Sequence, residues 1–294
     1  MNRTASLCFV AAWLLLVGSA ALPASAAERR NPLWVVEQNG ARIYLLGSIH
    51  VLPRKVSPSK PALVNALEQS DRVFFETAQS STPAESAHGE FFKKQGTYRK
   101  GDDLRRHLTK DARDLMDLVL PMFDLKWADV QHYRPWLVAL RLEQTLYASA
   151  GFAARDGVDD FYLKLARQEK KQLGALETVG EQLHSFTGMT DAEQNRYLVQ
   201  TIEGLVQMRP RLEALGELWR SGRTEVFAVI ADEMTKSRMG RQVLRDRNLR
   251  WLPKIEQMIA RREKNLIVAG IGHLVGRDGL VRMLEAKGYT VRQL

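Results

Sequence analysis

The sequence predicts an α/β fold: a mixed sheet built from two pseudo-symmetric β-loop-α-β units, each bearing Gly-x-x-His, with a large helical region inserted between them. Three observations predict it. An apolar strand-like run ending in Gly-x-x-His occurs twice, as IYLLGSIH (Gly47 to His50) and as LIVAGIGH (Gly270 to His273). The likeness continues past each histidine, because ALVNALEQSDRV (Ala62 to Val73) lies over GLVRMLEAKGYT (Gly279 to Thr290), with Leu63/Leu280, Val64/Val281, Leu67/Leu284 and Glu68/Glu285 coinciding. From about residue 82 to 261 the apolar residues instead recur at helical spacing. Two copies make a pseudo-symmetric pair rather than a solenoid.

The first residues read as a secretory signal peptide over 1–27: Arg3 supplies a positive start, Leu7 to Val17 an apolar stretch, and Ala24-Ser25-Ala26 a small-x-small cleavage site. A membrane span needs roughly 20 apolar residues, and this run is shorter and ends at Pro23. Cys8 lies inside the apolar run, so the mature chain contains no cysteine and no disulfide. The protein is therefore expected to be exported, periplasmic or secreted, with no transmembrane anchor after cleavage. Residues 28–294 suit one large α/β domain, and no Gly/Ser-rich or Pro-rich linker divides them. The formal net charge of +9 admits an anionic envelope surface as a partner. Nucleic acid is not expected, because the chain is exported and its basic residues are dispersed without aromatic interleaving.

Trp34 to Gln38 and Ala41 to Gly47 are strand-like and are joined by Asn39-Gly40, the strongest short hairpin signal. Ser59-Lys60-Pro61 starts a helix whose apolar face is Leu63, Val64 and Leu67, with proline tolerated in the first turn. Arg72 to Glu76 (RVFFE) is the next strand, expected to lie parallel to and beside the strand before that helix. Helical faces follow at Leu115, Leu118 and Val119, and at Trp136, Leu137, Leu140 and Leu146. Gly151 to Gly157 interrupts them, and a helix begins at Asp159 or Asp160. Gln172 to Leu176 reads as a lone buried strand. Helices return until Leu266 to Ala269, a strand that leads into the second Gly-x-x-His, the helix Leu280 to Ala286 and a final strand Tyr289 to Gln293. Gly288 suits the position just after a helix, where positive φ is needed.

Both motifs sit where strands give way to loops, the place where open α/β sheets gather ligands. Glycine three residues before each histidine lets the chain turn sharply or lets a ligand approach closely. Glu76 ends the apolar run Val73-Phe74-Phe75 and would emerge on the same sheet edge as His50. His50, His273 and Glu76 would serve as metal ligands with an open position for water, or Glu76 and one histidine as general base and acid on a carbonyl. Both forms fit the same residues. Glu177 closes the QLGALE strand, and Arg247, beside Asn248 and before Trp251, would bring a guanidinium to an oxyanion or carboxylate. His88, His107, His132 and His184 lie in contexts that do not repeat and are expected to be structural or exposed.

GSIHVLP, VFFE, YRPW (Tyr133 to Trp136), GVD (Gly157 to Asp159), LETVGEQ (Leu176 to Gln182), RN before Trp251 and GIGHLVGRDGLVRMLEAKGY together resemble the TraB/GumN family, the bacterial branch related to the Tiki proteins. The resemblance covers nearly the whole mature chain, and it is the combination of pieces that is specific. It implies metal-dependent cleavage of peptide or amide bonds, with His50, His273 and Glu76 holding a divalent metal (Mn, Co or Zn) and with Glu76, Arg247 and Glu177 as catalytic residues. The partner would be a peptide or protein substrate. Related erythromycin esterase-like enzymes use similar His/Glu sets as hydrolases without a metal. Other members are linked to peptide pheromone control and exopolysaccharide clusters, which would suit a protein that binds or sequesters a peptide.

Overall fold

Asn39 and Gly40 adopt positive φ, 52° and 88°, as a type I′ turn requires. They join β1 (Leu33–Gln38) to β2 (Ala41–Ser48) as the expected hairpin. This computed structural model describes residues 30–53, 56–78, 87–152 and 157–294. The expected signal peptide, 1–27, lies outside the described residues. Among those described, no helix is long and apolar enough to cross a membrane.

The fold is α/β, with one six-stranded mixed sheet. Its remaining strands are β3 (Arg72–Thr77), β4 (Gln172–Glu177), β5 (Lys264–Gly270) and β6 (Val291–Gln293), and the order is β4-β3-β5-β2-β1-β6. Strands β2, β5, β3 and β4 are mutually parallel, whereas β1 runs antiparallel to both β2 and β6.

One expected pairing is corrected. β2 and β3 are parallel but not neighbours, because β5 lies between them. Leu266, Ile267, Val268 and Ala269 of β5 are all fully buried, and a strand apolar on both faces belongs inside a sheet, with a partner on each side. β4 is an edge strand rather than a buried one: Leu173 is 41% exposed, and burial is complete only toward Leu176 and Glu177.

Around the sheet lie α1 (Pro61–Glu68), α2 (Ala87–Gln95), α3 (Leu104–His107), α4 (Lys110–Met122), α5 (Trp127–Val130), α6 (Pro135–Ser149) and α7 (Val158–Gln168). After β4 come α8 (Val179–Thr187), α9 (Asp191–Ser221), α10 (Thr224–Met234), α11 (Arg238–Val243) and α12 (Arg245–Ala260), and after β5 come α13 (Ile271–Leu274) and α14 (Leu280–Ala286). Proline opens α1 and α6, where its missing N–H costs nothing. Threonine-glutamate capping boxes start α8 and α9. α14 has the expected bounds, and Gly288 follows it at φ 86°. On α4 the buried face is Ala112, Met116, Val119 and Leu120, which packs toward α9; Leu118, expected inside, is 71% exposed.

Four parallel strands thus end at one edge of the sheet. Ser48 pairs with Gly270 and Thr77 with Glu177. α12 covers that edge and buries Arg247, Asn248 and Trp251.

Candidate active site

Glu76 stands one residue before the end of β3 and is only 7% exposed. One carboxylate oxygen, Oε1, accepts the backbone N–H of Gly270 at 2.8 Å. The other accepts Arg247 Nη2 at 2.6 Å and Gln182 Nε2 at 3.2 Å. Burial pushes this carboxyl up, but the charges of Arg247 and the histidines and the Gly270 N–H reverse that and hold it well below the ordinary carboxylate range.

The two motif glycines have different reasons to be glycine. A Cβ on Gly47 would meet Ile271 Cγ1 at 2.9 Å, so the first glycine makes room for the second motif. A Cβ on Gly270 would stand 3.2 Å from Glu76 Oε1, 3.7 Å from His273 Cδ2 and 3.7 Å from His50 Nε2. The two histidines and Glu76 therefore surround one point.

His273 is 3% exposed and tilts against the Trp251 ring, with centroids 4.4 Å apart. Asn248 Nδ2 donates to the carbonyls of His273 and Asp278 at 3.0 and 2.7 Å, which turns its Oδ1 toward His273 Nδ1 at 2.8 Å. Nδ1 must then carry the hydrogen, and Nε2 offers its lone pair to Arg247 Nη1 at 3.0 Å, a group that can only donate. Burial first, then Arg247 and His50, push its pKa down to about 3 against the pull of Glu76. The imidazole is neutral, so Arg247 carries most of the reversal at Glu76.

His50 differs. Its Nδ1 lies 2.8 Å from Asp159 Oδ2, and Ser48 Oγ donates to Asp159 Oδ1 at 2.6 Å. The side chains of His50 and Asp159 are 15% and 19% exposed, whereas Glu76, His273 and Arg247 are under 10%. Solvent therefore meets the cluster on the His50 side.

Arg247 joins the pieces. Nε donates to Glu177 Oε1 at 2.7 Å, Nη1 to the Val243 carbonyl at 3.3 Å and to His273, and Nη2 to Glu76, while Nη2 also lies 2.5 Å from Glu177 Oε1 as an ion pair. A guanidinium has five N–H donors; four of them make these hydrogen bonds, and Nη2 is held further in the ion pair with Glu177. In this arrangement Arg247 is a clamp, and any steadying of an oxyanion would come from its charge rather than from a hydrogen bond. Glu177 sits behind it, its carboxyl pushed up by burial first and by Glu76, against Arg247.

All five side chains expected from the sequence, His50, Glu76, Glu177, Arg247 and His273, are joined in this one cluster. Sequence reasoning missed Ser48, Asp159 and Gln182 and gave Asn248 no role, although these lie in GSIHVLP, GVD, LETVGEQ and RN respectively. His107 is engaged elsewhere, at Asp102 and stacked on Tyr98, and His132 packs on Tyr133.

The expected metal set can be tested against these bonds. The lone pair of His273 Nε2 and both oxygens of Glu76 face donors, and a guanidinium lies among them. A dication about 4 Å from a guanidinium meets repulsion of about 8 kcal/mol at an effective dielectric of about 20. Among the described residues no group of three or more His, Cys, Asp or Glu is arranged to hold a metal ion. As they stand, these side chains do not fit a metal bridging all three.

Fold and site define an α/β protein whose parallel strand ends enclose a buried His/Glu/Arg cluster. The chain matches the TraB/PrgY/gumN family over residues 32–293 and belongs to that family. No curated protein and no solved structure matches it.

Proposed function

We propose that this protein is an exported hydrolase that cleaves peptide or amide bonds at the His50, Glu76 and His273 cluster, in the form that uses side chains rather than a resident metal. The convergence of His50 Nε2, Glu76 Oε1 and His273 around Gly270 carries this reading. A water held over Gly270 would have an imidazole to take its proton and a carboxylate to orient it. Its oxygen attacks the acyl carbon as the proton passes to His50, and the same proton then goes to the leaving nitrogen as the C–N bond breaks. The charge of Arg247, in a site of low dielectric, offsets negative charge developing on the acyl oxygen. The two Gly-x-x-His units form a pseudo-symmetric pair in this reading, and the basic mature chain works near anionic envelope surfaces.

The competing form keeps the divalent metal implied by the family resemblance. Metal content of the purified mature protein, together with peptide hydrolysis before and after chelation and metal return, tests the proposal. Hydrolysis that survives demetallation and is lost in His50→Ala is expected. Stoichiometric metal that His50→Ala releases, with activity restored only by metal, would replace it with the metal-dependent form. Tight peptide binding without turnover under any supplementation would make the protein a sequestering one.

A further inference from the structure

We infer that Asp159, backed by Ser48, is the positioning residue that makes His50 the base of this site, a reading that rests on the hydrolase proposed above. Three consecutive residues of the first motif grip the start of α7. Ser48 Oγ donates to Asp159 Oδ1 at 2.6 Å, the Ile49 carbonyl accepts the Val158 N–H at 3.0 Å, and His50 Nδ1 meets Asp159 Oδ2 at 2.8 Å. Gly157 caps an 11-residue helix, so Asp159 lies in a first turn where the helix dipole favours a carboxylate. An ionised carboxylate only accepts, so Nδ1 of His50 holds the hydrogen and Nε2 carries the lone pair. That nitrogen is the one that lies toward Gly270 and Glu76.

The second motif has the same ring arrangement with different chemistry. Ile271 stands where the first motif has Ser48, so no hydroxyl is present, and the partner of Nδ1 is the neutral amide of Asn248. The lone pair of His273 Nε2 is already taken by Arg247. A carboxylate behind an imidazole stabilises the imidazolium that forms when it takes a proton; an amide does so far less. The duplicated histidines therefore have unlike roles. His50 accepts the proton from water and returns it to the leaving nitrogen, with Asp159 compensating its charge in between, and His273 stays neutral and helps hold Arg247.

The test combines kinetics with ¹⁵N-histidine NMR on the full mature chain. Asp159→Asn is expected to lower kcat by about a thousandfold or more with KM little changed, and to move the His50 hydrogen from Nδ1 toward Nε2 while the His273 pattern stays as it was. Ser48→Ala is expected to lower kcat by about tenfold, and Asp159→Glu to restore part of what Asp159→Asn loses. Wild-type kcat together with an unchanged His50 tautomer in Asp159→Asn would overturn the inference. If Asp159→Asn does not fold, Ser48→Ala and Asp159→Glu decide it by the same two readings. If the wild-type chain hydrolyses nothing, the hydrolase reading fails, and the tautomer measurement still tests Asp159 by itself.

Discussion

Glu76 at the sheet edge and Glu143 on α6 are buried to nearly the same degree, 7% and 3% exposed, yet their surroundings push their carboxyls in opposite directions, Glu76 down and Glu143 up. Glu76 is kept ionised by a guanidinium, an amide and a backbone N–H. For Glu143 burial acts alone and raises its pKa well above the ordinary value, and its neighbours Tyr147 and Tyr197 are pushed up as well. The difference lies in what each kind of structure can supply. Parallel strands that end together leave backbone donors such as the Gly270 N–H unpaired by the sheet, whereas the interface of α6 with α9 is built from helices that have spent theirs on their own carbonyls. Burial sets the cost of a charge, and local backbone geometry decides whether it can be met.

Arg247→Met removes the guanidinium that sets Glu76 apart from Glu143. It strands two carboxylates inside the protein, and a loss of about 3 to 5 kcal/mol is expected in urea unfolding at pH 7. A loss under about 1 kcal/mol would mean that Glu76 and Glu177 do not depend on the clamp.

Next in size is the acid side. The folded pKa of His273, about 3, lies below its ordinary 6.5. Below pH 6.5 the unfolded chain therefore binds a proton that the native state does not. Its contribution is complete above pH 6.5 and is lost as pH falls toward 3, at up to about 1.4 kcal/mol per pH unit. Unfolding curves between those limits should show that slope reduced in His273→Gln; equal slopes would show that His273 is not held neutral.

Glu143 runs the other way, because its folded pKa is raised above 4.5. The native state keeps a proton that the unfolded chain gives up, so stability is full below pH 4.5 and declines as pH rises toward the folded value, again by up to about 1.4 kcal/mol per unit. Glu143→Gln preserves the neutral shape, and its stability relative to wild type should rise from pH 4 to pH 8. A relative stability independent of pH would place an unseen charge partner at Glu143. The smallest effect belongs to Tyr147→Phe. The Tyr147 hydroxyl makes no hydrogen bond to any described residue, so a thermal melt should shift by the equivalent of less than about 0.5 kcal/mol.

Much of the site could be read along the chain. The histidines announced themselves by repetition, and Glu76 by closing an apolar run. Gly288 and Asn39-Gly40 were legible because positive φ is a local demand that few residues meet. Asp159 was not legible as a partner of His50, since 109 residues separate them and an aspartate in a first helical turn needs no further explanation. Leu118 was misplaced because its helical spacing defines a face without naming the neighbour that covers it.

The hairpin, the strand and helix types, the α/β class and the side chains with chemistry to offer follow from residues close together in the chain, so they can be read from the sequence. Packing between distant segments was needed to show that β5 enters between β2 and β3, that Arg247 is tied to Glu76, Glu177 and His273, and that two matching histidines face unlike partners. Strand order and hydrogen-bond partners are settled by contacts between distant segments competing for burial, and a repeat read along the chain cannot show which neighbour each copy will meet.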